Sequence, residues 1–209
     1  MNRLESLGVN NPVRRVIQRH YELPRLARLG GRLAGGRALE IGCGSGYGTK
    51  LILDQMGAAS VDAVDPDPAM VARARRRLRR YGDAVRIRRG TAEDLAAALD
   101  APDGAYDAVF GFLVLHHVED WRAALAEAAR VLRPGGRLYF VEVTSAALAR
   151  PSYRLFLDHP EQDRFSAGQF LAALRHHGLE PDDRWTTVVG SDYLLGVAER
   201  VSRGADRRR

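Results

Sequence analysis

Four glycines and one acidic residue with the spacing of a ligand site stand between residues 37 and 49, in the segment RALEIGCGSGYGT. An apolar run comes first, glycines follow at alternate positions, and a helix-like stretch begins after them. Glycine permits positive φ and lets the backbone approach a ligand without a Cβ in the way. A strand, a glycine loop and a helix in this order indicate a site for a nucleotide-like cofactor. The residues that we expect to contact this cofactor are Glu40, Gly42, Gly44, Gly46 and Tyr47.

Asp65 is the second candidate, 21 positions beyond Gly44 and at the end of the next apolar run. A carboxylate there can accept hydrogen bonds from both hydroxyl groups of a ribose. The competing interpretation is an acid that caps the following helix. Asp67 suits that capping role better, so we assign ribose binding to Asp65.

Two histidines and a glutamate are candidates for moving a proton. His116 and His117 follow the fourth predicted strand, and Glu142 lies near the end of the fifth. A histidine beside a carboxylate can act as an oriented general base. The alternative is a structural role for at least one histidine, and His117 is the preferred base of the two. Glu142 could equally bind substrate or metal, or point into a helix interface, although no residue set has the spacing of a metal site.

Composition favours one soluble α/β domain. The chain has 209 residues, of which 45% are hydrophobic and 28% charged. No run approaches the ~18 apolar residues of a membrane span. The N-terminus lacks the apolar core of a signal peptide. The single cysteine, Cys43, cannot form an internal disulfide and reads as a small packing residue in the glycine loop. These features predict a cytoplasmic protein without a membrane partner.

The net charge of +6 raises the question of a nucleic-acid partner. Six arginines crowd the predicted helix at 68–80, but on a helical wheel Met70, Val71, Ala74, Leu78 and Tyr81 share one arc. The arginines are therefore interpreted as a solvated helix face, and a nucleic-acid partner is disfavoured.

The candidate residues must be positioned by strands and helices, which alternate along the chain. The predicted strands are 38–41, 60–64, 85–88, 106–110 and 137–143, and the predicted helices between them are 47–56, 68–80, 95–99 and 121–132. This rhythm indicates a doubly wound parallel sheet that binds ligands at the carboxyl ends of its strands.

Flanking segments complete a single predicted domain over residues 1–209. Residues 1–33 form a helical cap, with Pro24 separating two short helices, and residues 37–143 form the cofactor core. Residues 151–165 form a substrate cover, and residues 166–200 a helix followed by a hairpin. Tyr21 of the cap and Tyr153 and Phe156 of the cover are candidates for binding the acceptor; for the last two, aromatic core packing is the alternative.

Four motifs stand in the order and spacing of a known family: EIGCGSG at 40–46, VDAVDP at 61–66, LHHV at 115–118 and LRPGGRL at 132–138. Over residues 37–143 the chain resembles class I S-adenosylmethionine-dependent methyltransferases of the methyltransferase-11/25 kind. The resemblance implies a Rossmann-like sheet of seven strands with an antiparallel C-terminal hairpin.

The same resemblance implies contacts with S-adenosylmethionine. Its methionine part would lie on the glycine loop, and its ribose at Asp65 and Pro66. The adenine would meet the turn after the third strand, and the methyl end the segment after the fourth. The residues implied there are Thr91, Ala92, Glu93, Gly111 and Phe112. Thr91 stands where the family often has Asp or Asn, so the adenine contact could rest on backbone N–H groups or on Glu93.

Methyl transfer to a small molecule is the leading functional hypothesis. RNA or protein methylation, suggested only by the net charge, is one alternative. A methyltransferase-like binding protein without catalysis is another. An NAD(P)-dependent oxidoreductase is disfavoured because the loop reads G-x-G-x-G and not G-x-G-x-x-G. The acceptor, its atom and the oligomeric state stay open, a homodimer included.

Overall fold

Strands and helices alternate along most of the chain in a computed structural model that describes residues 11–148 and 164–202. The α-helices are α1 Pro12–Ile17, α2 Leu23–Gly30, α3 Tyr47–Met56, α4 Pro68–Leu78, α5 Leu95–Leu99, α6 Trp121–Val131, α7 Ser145–Leu148 and α8 Ala167–His176. The strands are β1 Arg37–Ile41, β2 Ser60–Asp65, β3 Val85–Arg89, β4 Tyr106–Phe112, β5 Leu132–Val143, β6 Leu179–Glu180, β7 Trp185–Val188 and β8 Tyr193–Arg200.

The strands of the described residues form one sheet of eight, in the order β3-β2-β1-β4-β5-β8-β6. Strands β1 to β5 run parallel, and β8 runs antiparallel to β5. Strands β6 and β7 pair with successive parts of β8, so two short strands share one position at the edge of the sheet. The expected seven positions and antiparallel end are thus confirmed, with the seventh position divided in two.

Apolar side chains cover both faces of the sheet. Successive residues of a strand point to opposite faces, so Leu138 and Phe140 join one core cluster while Tyr139 and Val141 join the other. The first cluster packs against α5, α6 and α8, and the second against α2 and α3. Helices on both faces leave the carboxyl ends of the parallel strands as the edge at which a ligand can bind.

Side-chain caps fix where three helices begin. The carboxylates of Asp67 and Asp120 accept backbone hydrogen bonds at the starts of α4 and α6. Ser166 and Gln169 form a reciprocal capping box at the start of α8. Each cap satisfies N–H groups that have no partner within the helix. The predicted capping role of Asp67 is confirmed.

The N-terminal helical segment departs from expectation at Pro24. A break was predicted there, but α1, a π-helical turn over Gln18–Glu22 and α2 follow one another without interruption. The N–H of Leu23 donates to the carbonyl of Gln18, which makes a wider turn directly before the proline. Because proline lacks an N–H and crowds the preceding turn, it fits at the start of α2 without ending the helix.

The LRPGG segment is a turn within a strand. Tyr106 pairs with Leu132 and Ala108 with Arg137, so the four residues between Leu132 and Arg137 bulge out of the β4–β5 pairing. Gly135 there has φ of +75°.

No helix of the described residues is long and apolar enough to cross a membrane.

Candidate active site

The glycine loop between β1 and α3 is built on left-handed backbone. Gly42, Gly44 and Gly46 have φ of +66°, +51° and +80°. A Cβ on Gly42 would lie 2.2 Å from Cγ2 of Val114. The N–H of Cys43 donates to the carbonyl of Val64 at 3.0 Å, which ties the loop to β2. A side chain at Gly42 would therefore clash with the turn after β4 as well as strain the backbone.

Glu40 ends up beneath this loop, 2% exposed. Its carboxyl group accepts a hydrogen bond from the hydroxyl of Thr49 on α3. Burial raises the pKa of Glu40 to about 8, the charge of Asp65 adds to the rise, and the Thr49 hydrogen bond opposes it. Such a group becomes a carboxylate readily when a cation is placed beside it.

Asp65 closes β2 beside the loop and is 7% exposed. Its Oδ2 accepts from the N–H of Gly44 at 2.8 Å, and its Oδ1 accepts from the N–H of Asp67 at 3.0 Å. Burial raises its pKa, and these two backbone hydrogen bonds oppose the rise. Each oxygen retains acceptor capacity, so the carboxylate can still receive two hydroxyl groups. The residues present therefore fit a ligand with a ribose diol.

Arg77 supports the loop from outside, which the sequence did not reveal. Its guanidinium donates to the carbonyl and to the hydroxyl of Ser45, at 2.7 and 2.6 Å. The helical periodicity assigned Arg77 to the solvated face of α4. The buried arc of Met70, Val71, Ala74 and Leu78 is confirmed, but Arg77 lies at its margin and reaches the loop.

The candidate adenine contacts lie in the turn after β3. Thr91 is exposed, Glu93 is half-buried, and Ala92 packs into the core with Leu95. The N–H of Gly90 donates to the carbonyl of Asp65 at 3.2 Å, which brings this turn beside the end of β2. Pro66 is exposed there. The turn that carries Thr91, Ala92 and Glu93 therefore begins beside Asp65, and their contact with the adenine stays a prediction.

Phe112 and Gly111 end β4 at the same edge of the sheet. Phe112 borders the pocket over the glycine loop, and a Cβ on Gly111 would lie 3.3 Å from Val114. Leu113 follows with φ of +57°, held by its N–H, which donates to Val141 at 2.7 Å. The backbone reverses there and starts the histidine turn.

Glu142 fixes that turn from β5. The side chain is fully buried and accepts hydrogen bonds from the backbone N–H groups of Val114, Leu115 and His116 at 3.2, 3.0 and 3.4 Å. It lies 2.8 Å from Nδ1 of His116. Burial raises the pKa of Glu142 to about 7, and these hydrogen bonds limit the rise.

The two histidines differ in access. The side chain of His116 is 5% exposed, whereas His117 is exposed, and the ring centroids lie 4.1 Å apart. The predicted histidine–carboxylate pair exists, and it joins His116 to Glu142.

The N-terminal helical segment contributes residues that the sequence analysis did not single out. Arg14 and Gln18 border a cavity of about 50 Å³ over the glycine loop. Arg15 lies beside them, with its guanidinium 5.6 Å from the centre of the Tyr47 ring. The feature of the sequence that could have indicated Arg14 and Gln18 is their i, i+4 spacing, which puts two polar side chains on one face of a helix.

The other acceptor candidates are not brought to this cavity. Tyr21 is half-buried, with the guanidinium of Arg25 at 3.6 Å from its ring centre, and it is not among the residues that line the cavity. Tyr153 and Phe156 lie outside the described residues.

Cys43 is a packing residue, as its setting in the loop predicts. It is 5% exposed and joins Ala63, Val71 and Ala74 in a small core cluster. Burial raises the pKa of its thiol, and the charges of Glu40 and Asp65 raise it further. A thiol in this state is a poor nucleophile.

Larger cavities occur elsewhere in the described part of the chain. A groove of about 410 Å³ lies between α4 and β3, and one of about 510 Å³ lies at the end of α8. Neither groove is lined by Glu40, Asp65 or the glycine loop. Size alone therefore does not locate the candidate site.

The amino-acid sequence of this chain is similar to those of known proteins. A family profile described as a methyltransferase domain matches residues 39–140. A probable S-adenosylmethionine-dependent methyltransferase of Mycolicibacterium smegmatis is 35% identical over 176 residues, which are 84% of this chain and 63% of that protein. A ubiquinone biosynthesis O-methyltransferase of Xylella fastidiosa is 32% identical over 161 residues, which are 72% of this chain and 63% of that protein. The chain spans somewhat less than two thirds of these relatives.

A solved structure shares the fold. It is the methyltransferase in a complex with the Haloferax volcanii Trm112 methyltransferase activator, with a TM-score of 0.75, 20% identity, and coverage of 97% of this chain and 99% of that one. The likeness at this identity concerns the fold alone. Together with the family profile, the positive-φ glycine loop and Asp65 at the end of β2 establish that this chain belongs to the class I S-adenosylmethionine-dependent methyltransferase family.

Proposed function

We propose that the protein transfers the methyl group of S-adenosylmethionine to a small-molecule acceptor. The observation that carries this proposal is the placement of Glu40 and Asp65 on either side of the glycine loop, at the carboxyl ends of neighbouring strands. A carboxyl group on each side suits a ligand that has an ammonium group at one end and a ribose diol further along. Both groups are buried, which makes their interactions with a ligand stronger than they would be in water.

The cofactor supplies an activated methyl group on a sulfonium centre. The task of this chain is then to hold cofactor and acceptor in line and to exclude water. Glu40, Asp65 and the loop N–H groups would hold the cofactor, and Phe112 would form an apolar wall near the methyl end. Positioning of this kind can account for a large part of a rate enhancement.

Proton removal from a hydroxyl or ammonium acceptor requires a base. We assign this role to His117, because it is exposed on the turn that Glu142 holds in place. His116 is buried against Glu142 and contributes a fixed ring on which His117 rests. His116 is therefore a positioning residue in this proposal.

A small-molecule acceptor is supported by the relatives. The Xylella fastidiosa relative is an O-methyltransferase of ubiquinone biosynthesis, and it matches 72% of this chain. A neutral or apolar acceptor also agrees with the setting of the site, since Phe112 borders the cofactor pocket. The acceptor atom is left open by this proposal.

Titration calorimetry tests the cofactor. S-adenosylmethionine and its demethylated product, S-adenosylhomocysteine, should bind, and NAD(P) should give no heat. The Asp65→Ala substitution should weaken the binding of S-adenosylhomocysteine by about 10- to 100-fold. The reason is that the ribose hydroxyl groups lose the charged carboxylate that accepts their hydrogen bonds. Binding of NAD(P) in place of S-adenosylmethionine would overturn the proposal, and unchanged affinity in Asp65→Ala would remove the ribose role.

A transfer assay tests the acceptor class. Protein with methyl-labelled cofactor should label a component of a small-molecule pool and leave RNA and protein pools unlabelled. Labelled RNA, together with RNA binding that weakens steeply with salt, would contradict the small-molecule proposal and support nucleic-acid methylation.

A further inference from the structure

The N-terminal helical segment turns apolar side chains outward. Val13, Val16 and Ile17 are 62%, 58% and 43% exposed, and α1 has no buried residue. Their i, i+3 and i+4 spacing places them on one side of the helix. Arg14 and Gln18, which border the cavity over the glycine loop, lie on a different side. The helix therefore has an inner face toward the cavity and an outer apolar face toward solvent.

These exposed apolar side chains are concentrated in one place. The described residues expose six large apolar side chains, and three of them fall within the five positions from Val13 to Ile17. The others, Trp185, Val189 and Val201, lie in or beside β7 and β8. Single exposed apolar residues need no explanation, whereas a contiguous group on one helix face indicates a binding surface.

Positive charge accompanies the outer face. Residues 11–36 contain six arginines and one acidic residue, Glu22. Glu22 is 6% exposed and lies 2.9 Å from the guanidinium of Arg14, so it adds no unpaired negative charge to the surface. Arg19, three positions after Val16, is exposed at the margin of the apolar side chains. The segment therefore presents an apolar centre beside a surplus of positive charge.

A bilayer with anionic headgroups matches both properties. Aliphatic side chains can enter the boundary between headgroups and acyl chains, while arginines remain among the headgroups. A second copy of the chain would bring the same positive charge to the contact, and like charges oppose association. RNA would meet the arginines, but its bases bind by stacking on aromatic rings, and the three exposed apolar side chains are aliphatic.

We propose that this outer face, formed by Val13, Val16, Ile17 and Arg19, docks on the surface of an anionic lipid bilayer. The helix formed by α1, the π-helical turn and α2 is continuous, so it can lie in the plane of the interface without crossing it. The sequence-based expectation of a protein without a membrane partner rests on the lack of a long apolar run, and surface docking requires none. The inference is independent of the proposed transfer reaction.

Vesicle flotation measures this docking. The wild-type protein should float with vesicles of phosphatidylcholine and phosphatidylglycerol, and it should stay unbound with vesicles of phosphatidylcholine alone. Added salt should weaken the binding, because it screens the attraction between arginines and anionic headgroups. No binding to the mixed vesicles, or equal binding to both kinds of vesicle, would overturn the proposal.

Two variants separate the apolar and the charged contributions. Val13→Ser/Val16→Ser/Ile17→Ser should weaken the partition onto mixed vesicles by about 10-fold or more, because it removes the side chains that enter the acyl boundary. Arg19→Glu should weaken this partition by about 5- to 20-fold, because repulsion from the headgroups replaces attraction. Unchanged partition of both variants would overturn the assignment to this face.

Matched control variants carry the same changes elsewhere on the surface. Val189→Ser replaces a valine that is 60% exposed on the turn after β7, and Arg76→Glu reverses an exposed charge on α4. Both should change the partition by less than about twofold. A loss in Arg76→Glu equal to that in Arg19→Glu would show that binding follows net charge alone, and would overturn the outer face as the docking surface.

Gel filtration and RNA binding, both without vesicles, test the other occupants. A dimer that the triple serine variant dissociates would assign the outer face to a second copy of the chain. RNA binding that is lost in Arg19→Glu would assign this face to a nucleic acid. Either result, in place of vesicle binding, would overturn the proposal.

Melting temperature and affinity for S-adenosylhomocysteine show whether each variant is folded. Both should stay close to the wild-type values, because the substituted residues are exposed and do not border the cavity. A wild-type protein that floats with mixed vesicles but binds no S-adenosylhomocysteine would contradict the proposed function and support the docking surface.

Discussion

Glu40 and Glu142 are both buried carboxyl groups at the ligand edge of the sheet, and their partners give them different roles. Glu40 accepts hydrogen bonds from the hydroxyl and the backbone N–H of Thr49 and borders the cavity, so it can respond to a cation. Glu142 meets three backbone N–H groups and His116, so it holds a turn. Burial raises the pKa of Glu40 to about 8 and that of Glu142 to about 7.

Replacing Glu40 should change how stability depends on pH. The folded protein holds a proton on Glu40 that the unfolded chain has released above pH 4.5. The stabilisation is therefore complete at low pH and is lost as pH rises through about 8. In the absence of ligand, the free energy of unfolding of wild type should fall more steeply between about pH 4.5 and 8 than that of Glu40→Gln. Urea denaturation at a series of pH values measures the free energy of unfolding of the two proteins. If the two plots of this free energy against pH run parallel, Glu40 does not hold a proton in the folded protein.

The proton-transfer assignment separates the two histidines. His117→Ala should lower kcat by about 100-fold or more and flatten the acid limb of the pH–rate profile, with S-adenosylhomocysteine affinity unchanged. His116→Ala should lower stability and reduce kcat less, since its ring acts through the turn. His176→Ala, an exposed histidine on α8, is the control. A larger loss of kcat in His116→Ala than in His117→Ala would reverse the assignment.

At the scale of the element, α3 carries a glycine that its own helix does not need. A Cβ on Gly48 would lie 2.0 Å from Oε1 of Glu40 and 3.1 Å from the ring of Phe112. The absence of a side chain at Gly48 thus lets the helix start pack directly on the buried carboxyl group. Gly168 in α8 differs, since nothing lies within 4 Å of its Cβ position.

Alanine at these two helical positions should have opposite effects. Alanine favours a helix over glycine by about 1 kcal/mol, so Gly168→Ala should raise the melting temperature and leave ligand affinity unchanged. Gly48→Ala should displace Glu40, lower the melting temperature and weaken S-adenosylhomocysteine by about 10-fold or more. Thermal denaturation and calorimetry decide this, and similar behaviour of the two variants would contradict the packing argument.

Sequence alone was enough for the elements whose signals are local. The bounds of α3 and α5 were predicted to the residue, because glycine ends α3 and Asp94 caps α5. Glu40 and Asp65 were predicted to lie at the ends of neighbouring strands, and they do lie there beside the glycine loop, because the ends of parallel strands meet at one edge of the sheet. The positions of Arg14, Gln18 and Arg77 beside the loop were not predicted, because they depend on how helices dock across the edge of the sheet. No periodicity within one helix contains that information.

At the scale of the whole molecule, the sheet separates cofactor binding from a stabilising network at its opposite edge. Asp62 lies near the start of β2, 5% exposed. It accepts hydrogen bonds from Arg37 at 2.7 Å, from Arg86 at 2.8 and 3.0 Å, and from the hydroxyl of Tyr106 at 2.6 Å. These partners belong to β1, β3 and β4, so one carboxylate joins four parallel strands.

Asp62→Ala should therefore lower stability without affecting the ligand. The substitution leaves the buried hydroxyl of Tyr106 without its acceptor, while the side chains of Arg37 and Arg86 are 44% and 37% exposed and can turn to water. We therefore expect a loss of about 1 to 3 kcal/mol in the free energy of unfolding. The affinity for S-adenosylhomocysteine, measured well below the melting temperature, should change less than about twofold. A fall in affinity that matches the Asp65→Ala variant would show that the two edges are coupled.

Because Cys43 is buried, the reactivity of its thiol reports how often the glycine loop opens. It is the single cysteine of the chain, and it lies inside the glycine loop against the core. A thiol reagent can reach it only while the loop is displaced, so the alkylation rate measures how often the loop leaves its closed position. Ligand that holds the loop should slow that reaction, and the native sequence can be used without an added label.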